Sequence, residues 1–134
     1  MMTEAQTILI VDDSSGEALI TNRILSRISP GIRTETAFSG EAAMDLLRKM
    51  GALPALILLD LKMLGLSGFD VIRLVRSDER LKHIPIVVVS NSTLAADRVE
   101  SIRAGANSFL HKHFDLDSFS KELRALLQTY LNNS

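Results

Sequence analysis

The 134-residue sequence contains no cysteine and no tryptophan, and aromatic residues make up only 4% of it. The lack of cysteine excludes disulfides, thiolate nucleophiles and cysteine zinc sites. The scarcity of aromatic rings argues against a surface that stacks nucleic-acid bases. A charge excess is also absent, because 15 Lys and Arg residues oppose 16 Asp and Glu residues. A general nucleic-acid-binding protein would carry a basic excess, so we expect no nucleic-acid partner.

Long hydrophobic runs are missing as well. No segment reaches the roughly 18 apolar residues of a membrane span, and the opening MMTEAQ lacks the basic and then apolar pattern of a signal peptide. We therefore expect a soluble, cytoplasmic protein that does not bind membranes. The length predicts one domain. We expect that domain to span residues 7–131, between a flexible N-terminal tail at 1–6 and a C-terminal tail at 132–134, with no output domain.

Five short segments predict β-strands. Residues 8–11, 56–59 and 86–89 are continuous apolar runs, which is typical of strands buried on both faces. Residues 32–38 and 108–111 are weaker candidates. Helical patterns lie between and after these segments, with apolar stripes at positions 20, 24 and 28 and at positions 95, 99 and 102. The alternation predicts a single-domain α/β fold, with a parallel sheet covered by helices on both faces.

Acidic residues follow two of the predicted strands. Asp12 and Asp13 come directly after the first strand, and Asp60 follows the third. The carboxyl ends of parallel strands share one rim of the sheet, where ligand sites form, and three neighbouring carboxylates repel one another unless a cation neutralises them. We therefore predict a site for Mg²⁺ or Mn²⁺, which prefer oxygen ligands, with the backbone carbonyl of Lys62 as a further ligand. The alternative is that Asp12 and Asp13 only begin a turn and cap a helix.

The same rim carries groups suited to phosphoryl chemistry. Asp60 closes the most apolar stretch of the chain and could act as a metal ligand, a general base or a nucleophile. As a nucleophile toward a phosphoryl group it would form an acyl phosphate. Lys112, after the fifth strand, would then pair with one phosphoryl oxygen, and the Ser90 hydroxyl, after the fourth, would hydrogen-bond another.

Five segments together resemble the receiver domain of two-component response regulators. They are the segment at 7–13 that contains ILIVDD, LILLDLKM around Asp60, the turn at 65–69, IPIVVVSNS around Ser90, and AGANSFLHK ending at Lys112. The resemblance implies a flavodoxin-like sheet with strand order 2-1-3-4-5. It implies Asp60 as phospho-acceptor, Asp12 and Asp13 as metal ligands, and Ser90 and Lys112 as phosphoryl-binding groups.

The resemblance also implies how a signal would travel. A sensor histidine kinase would donate the phosphoryl group, Ser90 would move toward it, and Phe109 would be the aromatic switch residue. The surface of the fourth helix, fifth strand and fifth helix would then engage a partner. A second copy is one candidate, and a phosphotransfer protein is another. Apolar atoms for a second copy could come from Val99, Ile102, Leu123 and Leu127, unless these residues belong to the core. Such a protein would not be an enzyme acting on a separate substrate.

Three positions depart from the family pattern and keep other classes open. His113 stands where the family usually has proline after its lysine, Leu64 replaces a frequent loop proline, and Asn91 replaces a small residue. The departures at His113 and Leu64 keep open the alternative of a receiver-like docking module that no longer accepts phosphate. A small aspartyl phosphatase would need Asp-x-Asp-x-Thr after the first strand, and a flavodoxin-like cofactor protein would need a phosphate-binding loop there. The sequence matches neither pattern.

Overall fold

The chain forms a five-stranded parallel sheet flanked by five helices. The computed structural model describes residues 6–112 and 115–131. The strands are Thr7–Val11 (β1), Arg33–Ala37 (β2), Leu56–Leu59 (β3), Ile86–Ser90 (β4) and Ser108–His111 (β5). The helices are Ser15–Ile28 (α1), Gly40–Lys49 (α2), Gly68–Ser77 (α3), Ala95–Ala104 (α4) and Leu116–Tyr130 (α5). The α/β fold class predicted from the sequence is confirmed.

The strand order is β2-β1-β3-β4-β5, and all four pairings are parallel. This confirms the order that the family resemblance implied. The neighbouring strands β1 and β3 consist entirely of β-branched residues and leucine, which suits strands that are covered on both faces. In the sheet, β1 and β3 lie side by side, so the residues that follow them also become neighbours.

Alternate residues of the strands face two separate layers of helices. Leu9, Ile57 and Val88 belong to a buried cluster with residues of α2 and α3. Their sequence neighbours Ile8 and Leu58 belong to a second cluster, with residues of α1 and α5. Successive side chains of a strand point to opposite faces, so one apolar run supplies both halves of the core.

The loops at the site rim are held by local caps. The Ser67 hydroxyl accepts from the backbone N–H of Asp70, and the Asp70 carboxylate accepts from that of Ser67, which is a complete capping box. At α1, Ser14 accepts from the N–H of Glu17 at 3.2 Å, and the Glu17 side chain turns toward Lys112. Only half of a capping box forms there, because the fold offers this carboxylate an ammonium group.

Two predicted apolar stripes do not coincide with the most buried residues of their helices. In α1, Ile20 is 43% exposed and the buried residues are Ala18, Thr21 and Leu25. In α4, Val99 and Ile102 are 51% and 46% exposed, and Ser101 is the buried residue. Ile24 and Ile28 pack against the core, so the apolar spacing of α1 was correct in part, whereas in α4 it marks an exposed face.

The predicted apolar contact surface of α4 and α5 divides in two. Val99 and Ile102 are available at the surface, whereas Leu123 and Leu127 are 0% and 3% exposed and pack in the core with α1. Leu123 and Leu127 therefore cannot contribute to a docking surface. Within the described ranges, the structure contains no helix of the length and apolar character needed to cross a membrane.

Candidate functional site

Three carboxylates converge at the carboxyl ends of β1 and β3. The backbone N–H of Asp60 donates to the carbonyl of Val11 at 2.9 Å, and that of Asp12 donates to Ala37 at 3.1 Å. These bonds extend the strand pairing to the residues that leave the sheet. One carboxylate oxygen each from Asp12, Asp13 and Asp60 lies within 4.8 Å of the others. The sequence prediction that these residues meet is thus correct.

The three acids differ in burial in a way that suits a cation with retained water. Asp12 is 4% exposed, Asp60 is half-buried and Asp13 is exposed. Oxygen donors of this kind fit a hard divalent cation that keeps part of its hydration shell, and Asp13 leaves the group open to solvent. Asp12 also accepts a hydrogen bond from the N–H of Ser14 at 2.9 Å. It therefore begins a turn, as the alternative interpretation expected, and also belongs to the acidic cluster.

The environment of Asp60 disfavours its ionised form in the absence of a cation. Burial raises the pKa of Asp60 to about 6, and the charges of Asp12, Asp13 and Glu17 act in the same direction, while Lys112 opposes them. The ordinary pKa of an aspartate is near 4. A cation held by these carboxylates would relieve the same repulsion.

Lys112 brings the compensating positive charge to the site. It follows β5, where its backbone N–H donates to the carbonyl of Ser90 at 2.9 Å. Its ammonium donates to Asp12 Oδ2 at 2.8 Å and to Glu17 Oε1 at 2.5 Å. Burial works to lower the pKa of Lys112, but its bonds to Asp12 and Glu17 outweigh this and raise it above the ordinary value. Lys112 is therefore charged at physiological pH.

Ser90 closes β4 as a fully buried hydroxyl. It is 1% exposed and accepts from the backbone N–H of Ser92 at 3.1 Å. The Ser92 hydroxyl in turn donates to Asp97 at 2.5 Å, and the Lys62 ammonium lies 3.7 Å from the same carboxylate. The hydroxyl of Ser90 is thus connected, through the β4–α4 loop, to the first turn of α4.

The loop after Asp60 carries the remaining predicted ligand. The Lys62 side chain is 67% exposed and points to Asp97. The N–H of Gly68 donates to the carbonyl of Leu61 at 2.8 Å, which closes the β3–α3 loop over the rim. The predicted role of the Lys62 carbonyl as a metal ligand stays a prediction.

Phe109, the predicted aromatic switch residue, lies in β5. Its ring is partly buried against the core cluster of α2 and α3. The Arg98 guanidinium of α4 lies 5.9 Å from the centre of the ring, within the range of a cation–π contact. The residue is therefore in contact with the surface that the resemblance assigns to signalling, and its movement stays a prediction.

Two of the three departures from the family pattern, Leu64 and Asn91, lie at the surface. Leu64 is 89% exposed in the β3–α3 loop. Asn91 is exposed, and its amide donates to Glu17 Oε1 at 3.2 Å. His113, and with it the geometry of the Lys112–His113 peptide bond, lies outside the described residues.

Sequence reasoning missed Glu17 as a member of this site. The hydrogen bond from Lys112 lowers the pKa of Glu17 below its ordinary value, although burial acts in the opposite direction. The signal that could have revealed it is its position in the first turn of α1, one turn after Asp13 on the same rim. Its apparent match to a capping box concealed this, because that motif assigns the carboxylate to the helix backbone.

Comparisons with known proteins agree with this arrangement. The family described as the response regulator receiver domain matches residues 8–124. The chain is 31% identical over 121 residues to the chemotaxis protein CheY of Pseudomonas aeruginosa, covering 90% of this chain and 95% of CheY. Longer relatives also match: the chain is 29% identical to the response regulator Rre1 of Synechocystis and spans 53% of its length.

Two solved structures share the whole fold. The phosphorylated cyanobacterial phytochrome response regulator RcpA superimposes with a TM-score of 0.87 at 27% identity, covering 97% of this chain and 96% of RcpA. The Mn²⁺-bound form of response regulator Rcp1 gives a TM-score of 0.83 at 27% identity, with 96% of each chain covered. The family match, the strand order and the converging carboxylates lead to one conclusion: the chain belongs to the response regulator receiver domain family.

Proposed function

We propose that the chain acts as a response regulator that accepts a phosphoryl group on Asp60 from a sensor histidine kinase in the presence of Mg²⁺. The observation that carries the proposal is the convergence of three carboxylates within 4.8 Å, with the ammonium of Lys112 beside them. A half-buried aspartate at this position combines a nucleophilic oxygen with groups of both charge signs that can neutralise a phosphoryl group.

Two solved structures of similar proteins support this interpretation of the site. RcpA is a phosphorylated response regulator, and Rcp1 is a response regulator in a Mn²⁺-bound form. We infer that Asp12, Asp13 and Asp60 hold Mg²⁺ or Mn²⁺ in this chain, with the Lys62 carbonyl as a further ligand. The cation would offset the negative charge of the transferring phosphoryl group.

The transfer itself is a displacement at phosphorus. A carboxylate oxygen of Asp60 attacks the phosphorus of a phosphohistidine, the new O–P bond forms as the P–N bond breaks, and the imidazole leaves with the electron pair. The step needs Asp60 in its ionised form, and its pKa of about 6 leaves most of it ionised at pH 7 and above. Lys112 and Ser90 would then bind the other phosphoryl oxygens.

The output would be a change at the surface of α4, β5 and α5. The Ser90 hydroxyl accepts a hydrogen bond from the N–H of Ser92. Movement of the hydroxyl toward the phosphoryl group would break this hydrogen bond. Its loss would alter the loop leading into α4, where Val99 and Ile102 are exposed. Phosphorylation would thereby shift the population of a surface for a partner protein. We infer a downstream protein, a phosphotransfer protein or a second copy of the chain as that partner.

Mass spectrometry tests this function directly. Incubation with acetyl phosphate and Mg²⁺ should add the mass of one phosphoryl group in a form that is stable in acid and labile in base. Asp60→Asn should show no addition, and Asp13→Asn should require about tenfold more Mg²⁺ or higher. Asp45→Asn, an exposed aspartate of α2, is the control for a general loss of negative charge.

Two results would contradict the proposal. If the wild-type chain showed no mass addition, the docking module would be the interpretation that remains. Continuous turnover of p-nitrophenyl phosphate would instead indicate a phosphatase, whereas we propose that the chain is not an enzyme and takes part only in its own phosphorylation and dephosphorylation.

A further inference from the structure

The ammonium of Lys112 binds two carboxylates, one inside the acidic cluster and one outside it. It lies 2.8 Å from Asp12 Oδ2 and 2.5 Å from Glu17 Oε1. Asp12 belongs to the acidic cluster, whereas Glu17 projects from the first turn of α1. Within the described ranges, the ion pairs of Lys112 are with these two residues. The lysine is thus occupied before any phosphoryl group arrives.

Glu17 is fixed in this position from a second direction. The same Oε1 atom that contacts Lys112 also accepts from the amide of Asn91 at 3.2 Å. Asn91 follows Ser90 in the β4–α4 loop, so the contact joins α1, β4 and β5 around a single oxygen. This arrangement orients the carboxylate toward the ammonium group, although the side chain stays 40% exposed.

A bound phosphoryl group would have to compete for Lys112. Of the two carboxylates, Glu17 costs less to release, because its side chain is 40% exposed and regains water, whereas that of Asp12 is 6% exposed. An exposed carboxylate that loses its partner pays little desolvation. The unpaired Glu17 charge would still repel an anion on Asp60, so this residue opposes the phosphorylated state in two ways.

We propose that Glu17 is a positioning residue that holds Lys112 on the α1 side of the site and gives it up when Asp60 is phosphorylated. The proposal rests on the proposed phospho-acceptor function. In this role Glu17 affects how readily the chain takes up and retains a phosphoryl group. It adds to the five residues that the family resemblance implies at the site, which are Asp12, Asp13, Asp60, Ser90 and Lys112.

Beryllofluoride binding to the full chain in Mg²⁺ measures this competition, since the adduct places an anion on Asp60. Glu17→Gln keeps the shape of the side chain and removes its charge, so we expect beryllofluoride to bind about threefold to tenfold more tightly. Glu41→Gln is the matched control, because Glu41 is an acid at the start of α2 that contacts the β3–α3 loop. We expect Glu41→Gln to change the affinity by less than about twofold.

A second measurement on the metal-free protein isolates the contact itself. The ¹H–¹⁵N resonance of the Lys112 ammonium should shift or broaden in Glu17→Gln and remain in place in Glu41→Gln. Equal affinity gains in both variants, or an ammonium resonance unaffected by Glu17→Gln, would overturn the role of Glu17 and leave the phospho-acceptor function intact. Failure of the wild-type chain to bind beryllofluoride would overturn the phospho-acceptor function, and the role of Glu17 with it.

Discussion

The carboxylate of Asp60 lowers the stability of the metal-free protein at neutral pH. Its pKa is raised to about 6, so the folded state binds a proton more tightly than the unfolded chain does. A group of this kind contributes stability below the unfolded pKa near 4 and loses that contribution as the pH rises through 6. The site therefore keeps an unfavourable charge in place at the pH at which it would act.

This effect predicts the behaviour of Asp60→Asn without metal. At pH 8 in EDTA, the variant should exceed the wild type in free energy of unfolding by about 1–2 kcal/mol, after allowance for solvent screening of a half-buried group. The gain should shrink steadily between pH 6.5 and 4.5. Urea unfolding followed by circular dichroism gives both values, and a pH-independent difference would contradict the electrostatic origin.

Glu17 shows why single residues of the site escape sequence reasoning. Asp12, Asp13 and Asp60 could be predicted because each directly follows an apolar strand, and the sheet brings strand ends together. Glu17 lies within a helix, where its neighbours depend on how α1 packs beside α5 and β1. The contact with Lys112 spans 95 positions of the chain. The position of Glu17 near Asp13 indicates the rim, but it does not indicate which cation the carboxylate meets.

At the scale of secondary-structure elements, the β3–α3 loop depends on one glycine. A Cβ atom at Gly68 would clash with the backbone carbonyl of Asp60 and would lie 2.7 Å from the Cα of Leu61. Both neighbours are backbone atoms of the segment that positions the phospho-acceptor. The loop can therefore approach β3 closely only where no side chain intervenes.

Two glycine variants separate this close approach from ordinary helix propensity. Gly68→Ala should lower the free energy of unfolding by about 2 kcal/mol or more, because backbone atoms must shift. Gly16→Ala, in α1 with open space around its Cβ position, should raise it by about 0.5 kcal/mol. Chemical denaturation of both variants measures the contrast, and equal effects would contradict the clash.

The elements themselves were predictable to different extents. The strands β1, β3 and β4 followed from unbroken apolar runs, since only burial on both faces suits such sequences. For α4 the sequence left core and surface open, and Val99 and Ile102 have helical spacing and yet lie at the surface. Apolar periodicity identifies a face that avoids charge, but it does not tell a core contact from a surface kept apolar for another reason.

At the scale of the whole molecule, one sheet divides the core into two parts. Ile57 and Leu58 are adjacent in β3 and belong to different clusters, the first with α2 and α3 and the second with α1 and α5. The strand order that places β3 at the centre came from the family resemblance, because alternating strands and helices are compatible with several parallel orders.

Alanine at each of these positions tests whether the two halves fold as one unit. Ile57→Ala and Leu58→Ala should each reduce the free energy of unfolding by about 2–4 kcal/mol while leaving a single cooperative transition. Leu64→Ala, at a position 89% exposed, should cost less than about 0.5 kcal/mol. Far-ultraviolet circular dichroism and the fluorescence of Tyr130 should report the same midpoint, and separate midpoints would indicate two independent units.

Borohydride trapping of the phosphorylated protein tests the central claim most directly. Treatment with acetyl phosphate and Mg²⁺, followed by reduction, converts an aspartate that carries an acyl phosphate to homoserine, and peptide mass spectrometry locates the converted residue. We predict homoserine at position 60 and unchanged aspartate at positions 12 and 13, with conversion abolished by EDTA. Conversion at Asp12 or Asp13, or none at Asp60, would contradict the assignment of these three carboxylates.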